Sequence, residues 1–215
     1  LGLKAYRFSV SWPRILPDGR GRVNQAGLDY YSRLVDQLLE IGVDPFLTLY
    51  HWDLPQKLQD AGGWPERSTA SAFVEYADIV SRTLGDRVKM WATFNEPFVI
   101  SVLGYLVGEH APGHTDLDES LATSHHLLLA HGQAVPVLRQ NAPSAQVGMV
   151  VNLSPVMPAS ASILDIKAAW LHHCMVNRWF LDMVAGRGYP ADLVADMNRP
   201  MNFIQPGDQE IIAAP

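Results

Sequence analysis

Residues 91–97 read WATFNEP, a short run of apolar and β-favouring residues that ends in an amide, a carboxylate and a proline. The run extends back to Val88 and is typical of a buried strand, so polar side chains are expected at the carboxyl end of that strand. Three further segments have the same layout, an apolar run followed by polar residues: 5–10, 45–50 and 146–151.

Helical spacing of apolar residues fills the intervals between these runs. The stretch from about Leu28 to Ile41 carries one apolar face, and Gly42 is placed to end it. Further helices are predicted in three places: one ending near Gly85, one over about 119–139 and one over about 163–185.

Strands that alternate with helices predict an α/β fold with a parallel sheet. No glycine-rich turn of the form G-x-G-x-x-G follows the first strand, which argues against a doubly wound dinucleotide-binding sheet. Polar residues gather at the carboxyl ends of the strands, where a (β/α)8 TIM barrel assembles its active site. With four strands of the required eight, the sequence predicts about half of such a barrel. We expect residues 1–215 to be a single domain, truncated at both ends.

The composition argues against several classes of protein. The 215 residues include 16 Lys+Arg and 22 Asp+Glu, a formal charge of −6, and no basic run, so nucleic acid is not an expected partner. No stretch approaches the ~18 consecutive apolar residues that cross a bilayer, so no membrane partner is expected. The one cysteine, Cys174, cannot form an internal disulfide, and together with the acidic balance it favours a cytoplasmic protein.

Glu96 is the first candidate for catalysis. Its place after an apolar, aromatic strand predicts that burial raises the pKa of its carboxyl, as a general acid working near neutral pH requires. Pro97 predicts an extended backbone at Glu96, which would fix the direction of the carboxyl. The alternative is structural, an acidic residue beside a proline in the first turn of a helix. The neighbouring Asn95 can both donate to and accept from a hydroxyl-rich ligand.

A second candidate site follows the run 45–50. His51 and Trp52 offer an imidazole and an indole N–H to sugar hydroxyls, and the indole face can stack on a pyranose ring; the alternative is a loop histidine over a packed tryptophan. Asp53, followed by Leu-Pro, fits a turn or cap better than a second catalytic carboxylate. Arg7 lies within an apolar strand, where an unpaired charge is costly, and this predicts a carboxylate partner. Arg7 and that carboxylate either form a structural ion pair, or the carboxylate is catalytic and Arg7 keeps it ionised.

Metal and serine chemistry find little support. His110 and His114 are separated by Pro112-Gly113, which excludes a helical metal face, and neither Ser9 nor Ser11 lies in a G-x-S-x-G elbow. We therefore expect neither a metal nor another cofactor. The remaining histidines lie in helical stretches rich in Leu and Ala, where exposure or satisfied packing is expected: His125, His126, His131, His172 and His173.

Several short motifs follow one another in order along nearly the whole chain: YRFSVSWPR at 6–14, TLYHWDLPQ at 48–56, GGW at 62–64, WATFNEP at 91–97, GY at 104–105, APG at 111–113 and GYP at 188–190. In this order they resemble the glycoside hydrolase family 1 β-glucosidases. The resemblance implies a (β/α)8 barrel of which this chain contains strands two to five. It also implies hydrolysis of β-glycosides with retention of configuration by two carboxylates, which lie about 5–5.5 Å apart in such enzymes.

The resemblance implies a role for the candidates at the strand ends. Glu96 would be the acid/base, which protonates the leaving oxygen and then deprotonates the incoming water. Asn95 would bind the sugar 2-hydroxyl, a contact that strengthens in the transition state. Arg7 would lie beside the nucleophile carboxylate and favour its ionised form.

The same resemblance bears on the substrate, a β-glucoside or oligosaccharide with a terminal non-reducing β-D-glucosyl residue. His51 and Trp52 would hold the 3-hydroxyl side of the glycone, and Phe98 would lie near the aglycone. Plant thioglucosidases of the family replace the acid/base with Gln, so Glu96 favours an O-glycosidase. The Trp52-Asp53 pair indicates an unphosphorylated sugar, because phospho-β-glycosidases usually lack it.

The family's nucleophile is a Glu in a Thr-Glu-Asn-Gly motif, and this chain contains no such motif. Without a nucleophile Glu96 has no partner for the glycosyl-enzyme, so we expect the 215-residue chain to be inactive alone. The alternative function is that of an inactive half-barrel or sugar-binding fragment. Such a fragment would pair with a complementary C-terminal half or self-associate, because a half-barrel exposes strand edges and apolar helix faces.

Overall fold

A computed structural model describes residues 2–213, which form two compact units. The first unit runs to Asn95 and resumes over Ala130–Val150, and the second covers Glu96–Leu129 and the chain from Val151 onward. The boundary falls inside the WATFNEP segment, so two adjacent candidate residues belong to different units. The expectation of a single domain stays a prediction.

The first unit is built on a four-stranded parallel sheet whose strands follow one another in chain order. The strands are β1 (Ala5–Ser9), β2 (Asp44–Tyr50), β3 (Met90–Asn95) and β4 (Gln146–Val150). Each predicted run forms one of them. Ser9 pairs with Thr48, and Tyr50 pairs with Phe94, so the carboxyl ends of β1, β2 and β3 lie along one edge of the sheet.

Helices connect these strands in the first unit: α1 (Trp12–Ile15), α2 (Gln25–Glu40), α3 (Gln56–Asp60) and α4 (Arg67–Leu84). The predictions of α2 and α4 are confirmed, although α2 begins before Leu28. Gly42 has φ of 72°, and this left-handed residue lets its N–H donate to Leu39 O at 3.0 Å beyond the end of α2. Helices α1 and α3 have too few residues to show an apolar period, and spacing does not predict them.

An aromatic cluster fills the core of the first unit. Six of its side chains are at most 2% exposed: Trp12, Tyr50, Trp64, Phe73, Tyr76 and Phe94. Trp12 of α1 stacks on Tyr76 of α4 with ring centroids 5.2 Å apart. Phe73 of α4 stacks on Phe94 of β3 at 4.4 Å. The cluster therefore fixes α4 against both the sheet and the segment that follows β1.

The hydroxyl of Tyr76 adds a polar contact to this cluster. It lies 3.0 Å from the carbonyl oxygen of Val10 and 2.9 Å from that of Leu49. Burial raises the pKa of Tyr76, so the hydroxyl keeps its proton and remains a donor. Because Val10 follows β1 and Leu49 lies near the end of β2, this single group ties α4 to the carboxyl edge of the sheet.

Tyr76→Phe removes this donor and leaves two carbonyl groups in a buried site with one partner fewer. We expect the free energy of unfolding to fall by about 1–3 kcal/mol, the cost of an unsatisfied buried polar group. Urea unfolding of the two chains measures the difference. Tyr30→Phe, at an exposed tyrosine of α2, is the control and should change it by less than about 0.5 kcal/mol. Equal losses in the two variants would show that the buried hydroxyl contributes nothing.

The second unit is mainly helical in the part that the structure describes. Its helices are the first part of α5 (Leu117–Asn141), then α6 (Ile163–His173), α7 (Trp179–Val184), α8 (Ala191–Met197) and α9 (Asp208–Ala213), with π-helical segments at Val99–Leu103 and Cys174–Arg178. From Ala130 onward α5 belongs to the first unit. The helix predicted over about 163–185 is the succession of α6, the second π-helical segment and α7. The predicted helix over about 119–139 is α5.

A buried polar group joins three segments of the second unit. His125 of α5 has Nε2 2.8 Å from Oδ2 of Asp208 and Nδ1 2.9 Å from the hydroxyl of Tyr189. Trp179 of α7 stacks on Tyr189 with ring centroids 4.1 Å apart. His125 and Asp208 are at most 1% exposed, so the imidazole is a hydrogen-bonded core histidine, one of the two outcomes expected from its helical stretch.

His131 is a buried histidine of the first unit. Its Nδ1 lies 2.8 Å from Oγ1 of Thr93, a residue of β3 two positions before Asn95. Burial lowers the pKa of His131 to about 4, because the charged imidazolium would lose its hydration. The ring is therefore neutral at neutral pH.

The lowered pKa of His131 predicts an acid-sensitive stability. Between pH 6.5 and 4 the histidine binds a proton in the unfolded chain but not in the folded one. Its contribution is therefore present above pH 6.5 and lost as the pH falls toward 4, by about 3 kcal/mol in total. His131→Gln should flatten the dependence of the unfolding free energy on pH in this window, measured by urea titration at several pH values. His172→Gln, at an exposed site on α6, should leave the dependence as it is. Parallel profiles for wild type and His131→Gln would contradict this assignment.

Candidate active site

An open cleft of about 480 Å³ in the first unit lies along β1 and extends to His51, which follows β2. Parallel strands bring their carboxyl ends to the same edge, and residues of β1 and β2 line the cleft there. The lining includes two predicted site residues, Arg7 and His51, together with Ser9 and Thr48. Tyr31 of α2 closes one side.

Arg7 of β1 contacts side chains of both neighbouring strands. Its Nε donates to Oγ1 of Thr48 at 2.9 Å, and its Nη2 donates to Oδ1 of Asn95 at 2.6 Å. The guanidinium carbon lies 5.5 Å from the ring centre of Phe46, within range of a cation–π contact. One positively charged group therefore joins β1, β2 and β3.

The carboxylate partner predicted for Arg7 is not found within residues 2–213. There its partners are a hydroxyl, an amide and an aromatic ring. The prediction assumed a buried charge, whereas β1 is the first strand of the sheet and Arg7 is exposed. An exposed guanidinium stays hydrated, so the penalty that would demand an ion pair does not arise.

Asn95 ends β3 and is only 4% exposed. Because a guanidinium has donors and no acceptor, the atom that Arg7 contacts must be the amide oxygen. The Nδ2 group is then the part of the side chain left to meet a ligand. Of the two roles that the sequence allows for Asn95, donor and acceptor, this geometry favours the donor.

His51 and Trp52 follow β2 directly. The indole N–H of Trp52 donates to the backbone carbonyl of Asn95 at 3.0 Å, and the ring, with a backbone φ of 79°, remains 39% exposed. His51 packs edge-on against that ring with centroids 4.9 Å apart. The N–H expected to bind a sugar hydroxyl is thus engaged by the protein, and the exposed ring surface is what Trp52 offers to a ligand.

Asp53 is partly buried, and burial raises the pKa of its carboxyl, although a hydrogen bond with Ser11 acts in the opposite direction. That contact between the segments after β1 and β2 agrees with the turn or cap role expected for Asp53. Thr48 is the residue to which sequence reasoning assigns no role. The sequence signal that could have indicated a role is the hydroxyl side chain of Thr48 within the otherwise apolar run 45–50.

Glu96 opens the second unit and joins β3 to the helical turn that follows. Its φ is 48°, so the expectation of an extended backbone is wrong. Pro97 disfavours the right-handed helical region for the residue before it. The chain nevertheless turns at once into a helix whose first residue is Pro97, and Val99 N donates to Glu96 O at 2.9 Å. A left-handed residue meets both requirements. Glu96 therefore lies beside the proline, as the structural alternative expects, but one residue before the first turn of the helix.

Phe98 lies one residue before the π-helical segment Val99–Leu103 and is half-buried. Ser101 in that segment donates its hydroxyl to the carbonyl of Pro97 at 2.8 Å, which holds the turn after Glu96. The structure thus gives Phe98 a fixed backbone and a partly exposed ring. Its place near an aglycone stays a prediction.

Within residues 2–213, no group of three or more His, Cys, Asp or Glu side chains is arranged to hold a metal ion. Every helix in that range is too short or too polar to span a bilayer.

Several known β-glucosidases resemble the chain in sequence and in structure. The sequence profile of the family described as Glycosyl hydrolase family 1 matches residues 1–215. Beta-glucosidase A of Acetivibrio thermocellus is 53% identical over 190 residues, which cover 88% of this chain and 42% of that protein. The psychrophilic beta-glucosidase BglU of Micrococcus antarcticus has a TM-score of 0.96 at 48% identity, covering 100% of this chain and 46% of that one.

A further structure shows the same fold with a bound compound. It is the complex of virulence factor SghA of Agrobacterium tumefaciens with its substrate analog salicin. Its TM-score is 0.95 at 46% identity, covering 99% of this chain and 47% of that one. The chain spans about half the length of the relatives it matches. These comparisons confirm the predicted fold class, about half of a (β/α)8 barrel, whereas the roles of the individual site residues stay predictions.

The hydrogen bond between Arg7 and Asn95 predicts that its removal lowers the stability of the fold measurably. Arg7→Met removes the donor to the amide oxygen of Asn95, which is buried, and we expect the free energy of unfolding to fall by about 1–3 kcal/mol. The control is Arg33→Met, at an exposed arginine of α2. Urea unfolding of the three chains tests the prediction, and a loss no larger than that of the control would contradict it.

Proposed function

The chain belongs to glycosyl hydrolase family 1, and we propose that it forms the part of a retaining β-glucosidase that carries the acid/base carboxylate. The observation that carries this proposal is the end of β3, where a buried amide, Asn95, is followed at once by a carboxylate, Glu96, in the context WATFNEP. Relatives that match the chain over about half their own length are named β-glucosidases, which supports the reaction class.

Glu96 acts twice in the proposed reaction. It first donates its proton to the glycosidic oxygen while a second carboxylate attacks the anomeric carbon and forms a glycosyl-enzyme. Glu96, now ionised, then removes a proton from the incoming water, which attacks the same carbon and releases the sugar. The second carboxylate comes from outside this chain, because the motif that carries the family's nucleophile is absent from it.

Asn95 and Arg7 prepare the sugar for that attack. The free Nδ2 of Asn95 donates to the 2-hydroxyl, and this hydrogen bond strengthens as positive charge develops at the neighbouring anomeric carbon. Arg7, already held between Thr48 and Asn95, supplies positive charge that keeps the nucleophile ionised.

His51, Trp52 and Phe98 select the substrate in this proposal. His51 binds the 3-hydroxyl side of the glycone, and the exposed part of the Trp52 ring packs on its apolar face. Phe98 faces the aglycone. The substrate is a terminal, unphosphorylated β-D-glucosyl residue with an oxygen-linked aglycone. The complex of SghA with its substrate analog salicin supports binding of a substrate of this kind.

The chain alone is inactive in this proposal because it provides one carboxylate of the pair. The second candidate function is a half-barrel without activity, or a sugar-binding fragment. Within residues 2–213, β1 is an edge strand of the open parallel sheet. This edge favours the second candidate function, because exposed strand edges drive association with a complementary half or with a second copy.

An assay of the split enzyme tests the proposal. The purified chain is incubated with p-nitrophenyl β-glucoside, with and without the C-terminal half of a family relative. We expect activity only with both halves, and a loss of at least about a hundredfold in Glu96→Gln, the range of general acid–base catalysis. Glu40→Gln, at the exposed end of α2, is the matched control and should keep full activity.

Other outcomes of the same assay have distinct meanings. Turnover by the chain alone that disappears in Glu96→Gln would contradict the division of the carboxylates between two halves. A folded chain that gives no activity in either mixture would support the second candidate function. Size-exclusion chromatography then separates a monomeric binding fragment from a self-associating half.

A further inference from the structure

Thr48 is a fully buried hydroxyl in the middle of the sheet. Its side chain is 0% exposed, and its backbone is paired on both sides, with Ser9 of β1 and with Ala92 of β3. The carbonyl of Thr48 also accepts from Val10 N at 2.9 Å. Its position is therefore fixed by the sheet, independently of any ligand.

The hydroxyl of Thr48 is one of three groups that hold the exposed side chain of Arg7, together with the amide of Asn95 and the ring of Phe46. Arg7 is exposed, and a long exposed arginine has many accessible rotamers. Thr48 Oγ1 accepts from Nε at 2.9 Å, while Asn95 Oδ1 accepts from Nη2 at 2.6 Å. Two hydrogen bonds from different nitrogens of a planar group fix its plane as well as its position.

The orientation of Asn95 follows from that of the guanidinium. An amide can be rotated by half a turn at little cost, so that its oxygen and nitrogen exchange places. The donor on Arg7 forbids the rotated state, because two donors would then face each other. The Nδ2 group of Asn95 is consequently presented as a donor only while Arg7 stays in place.

We propose that Thr48 is a positioning residue, whose buried hydroxyl holds Arg7 and through it keeps Asn95 oriented as the hydrogen-bond donor to the 2-hydroxyl of the glycone. The proposal rests on the proposed function, since it assumes that Asn95 meets that hydroxyl. Thr48 itself does not touch the sugar.

The kinetic test compares Thr48→Val, which keeps the shape and removes the hydroxyl, with Thr48→Ser, which keeps the hydroxyl. Each variant is assayed with the complementary half on p-nitrophenyl β-glucoside and on its 2-deoxy analogue. We expect Thr48→Val to lose about ten- to a hundredfold in kcat/KM on the glucoside, as for a lost hydrogen bond to a charged group, mainly in kcat. On the 2-deoxy analogue the loss should be less than about threefold, because the contact under test is already missing.

The conservative variant and the substrate comparison separate positioning from packing. Thr48→Ser should stay within about threefold of wild type on both substrates. Equal losses on the two substrates in Thr48→Val would assign Thr48 a structural role only and overturn the proposal, as would wild-type rates in that variant. If Thr48→Val does not fold, Thr48→Cys replaces it, because its sulfur is of similar size and a weaker acceptor. We expect Thr48→Cys to lose less kcat/KM on the glucoside than the loss expected for Thr48→Val, and again to lose less on the 2-deoxy analogue than on the glucoside.

A measurement that needs no activity separates this proposal from the proposed function. In the NMR spectrum of the 215-residue chain, the Nε–H signal of Arg7 should exchange slowly with water in wild type and in Thr48→Ser, and rapidly in Thr48→Val. Rapid exchange in all three would overturn the proposal whatever the enzyme does. A different outcome is also possible: exchange is slow in wild type and rapid in Thr48→Val, but the protein has no glucosidase activity with the complementary half. This outcome would support the positioning of Arg7 by Thr48 and would refute the proposed function alone.

Discussion

The guanidinium of Arg7 joins side chains from three adjacent strands, and the candidate site depends on this contact. In the register of the sheet Arg7 pairs with Phe46, so its side chain must reach two residues further along β2 to meet Thr48. It must also cross β2 to meet Asn95 at the end of β3. Only a long side chain with donors in a fixed fork can do both. A shift of one residue in either strand pairing would turn the partner side chains to the other face of the sheet.

The aromatic core supports this edge from the other side. The Tyr76 hydroxyl reaches the carbonyls of Val10 and Leu49, which precede the segments carrying Trp12 and His51. Trp12 stacks on the same tyrosine ring. The loops that bear candidate site residues thus begin from points fixed by the core, and the Trp52 indole adds a link from the loop after β2 to the backbone of Asn95. Loops that begin at such fixed points can hold their side chains in a defined geometry.

The strands and the long helices could be predicted from the sequence because their signals are local. Apolar alternation marks β1, and a repeated apolar face marks α2 and α4, without knowledge of any partner. The contacts within the site are not local. Arg7 and Asn95 are 88 positions apart, and whether an arginine in a strand meets a carboxylate or an amide depends on register and on which strand forms the edge. Thr48 escapes sequence reasoning for the same reason, since its role exists only through Arg7.

The left-handed backbone at Glu96 has a consequence for the stability of the turn between strand and helix. A φ of 48° costs a residue with a Cβ on the order of 1 kcal/mol, and glycine or asparagine would relieve much of that cost. Glutamate is therefore not the residue that the stability of this turn alone would favour. The backbone at the junction of strand and helix thus carries a conformational cost that a residue chosen for the turn alone would avoid, which is the kind of cost found where a site and its scaffold have competing preferences.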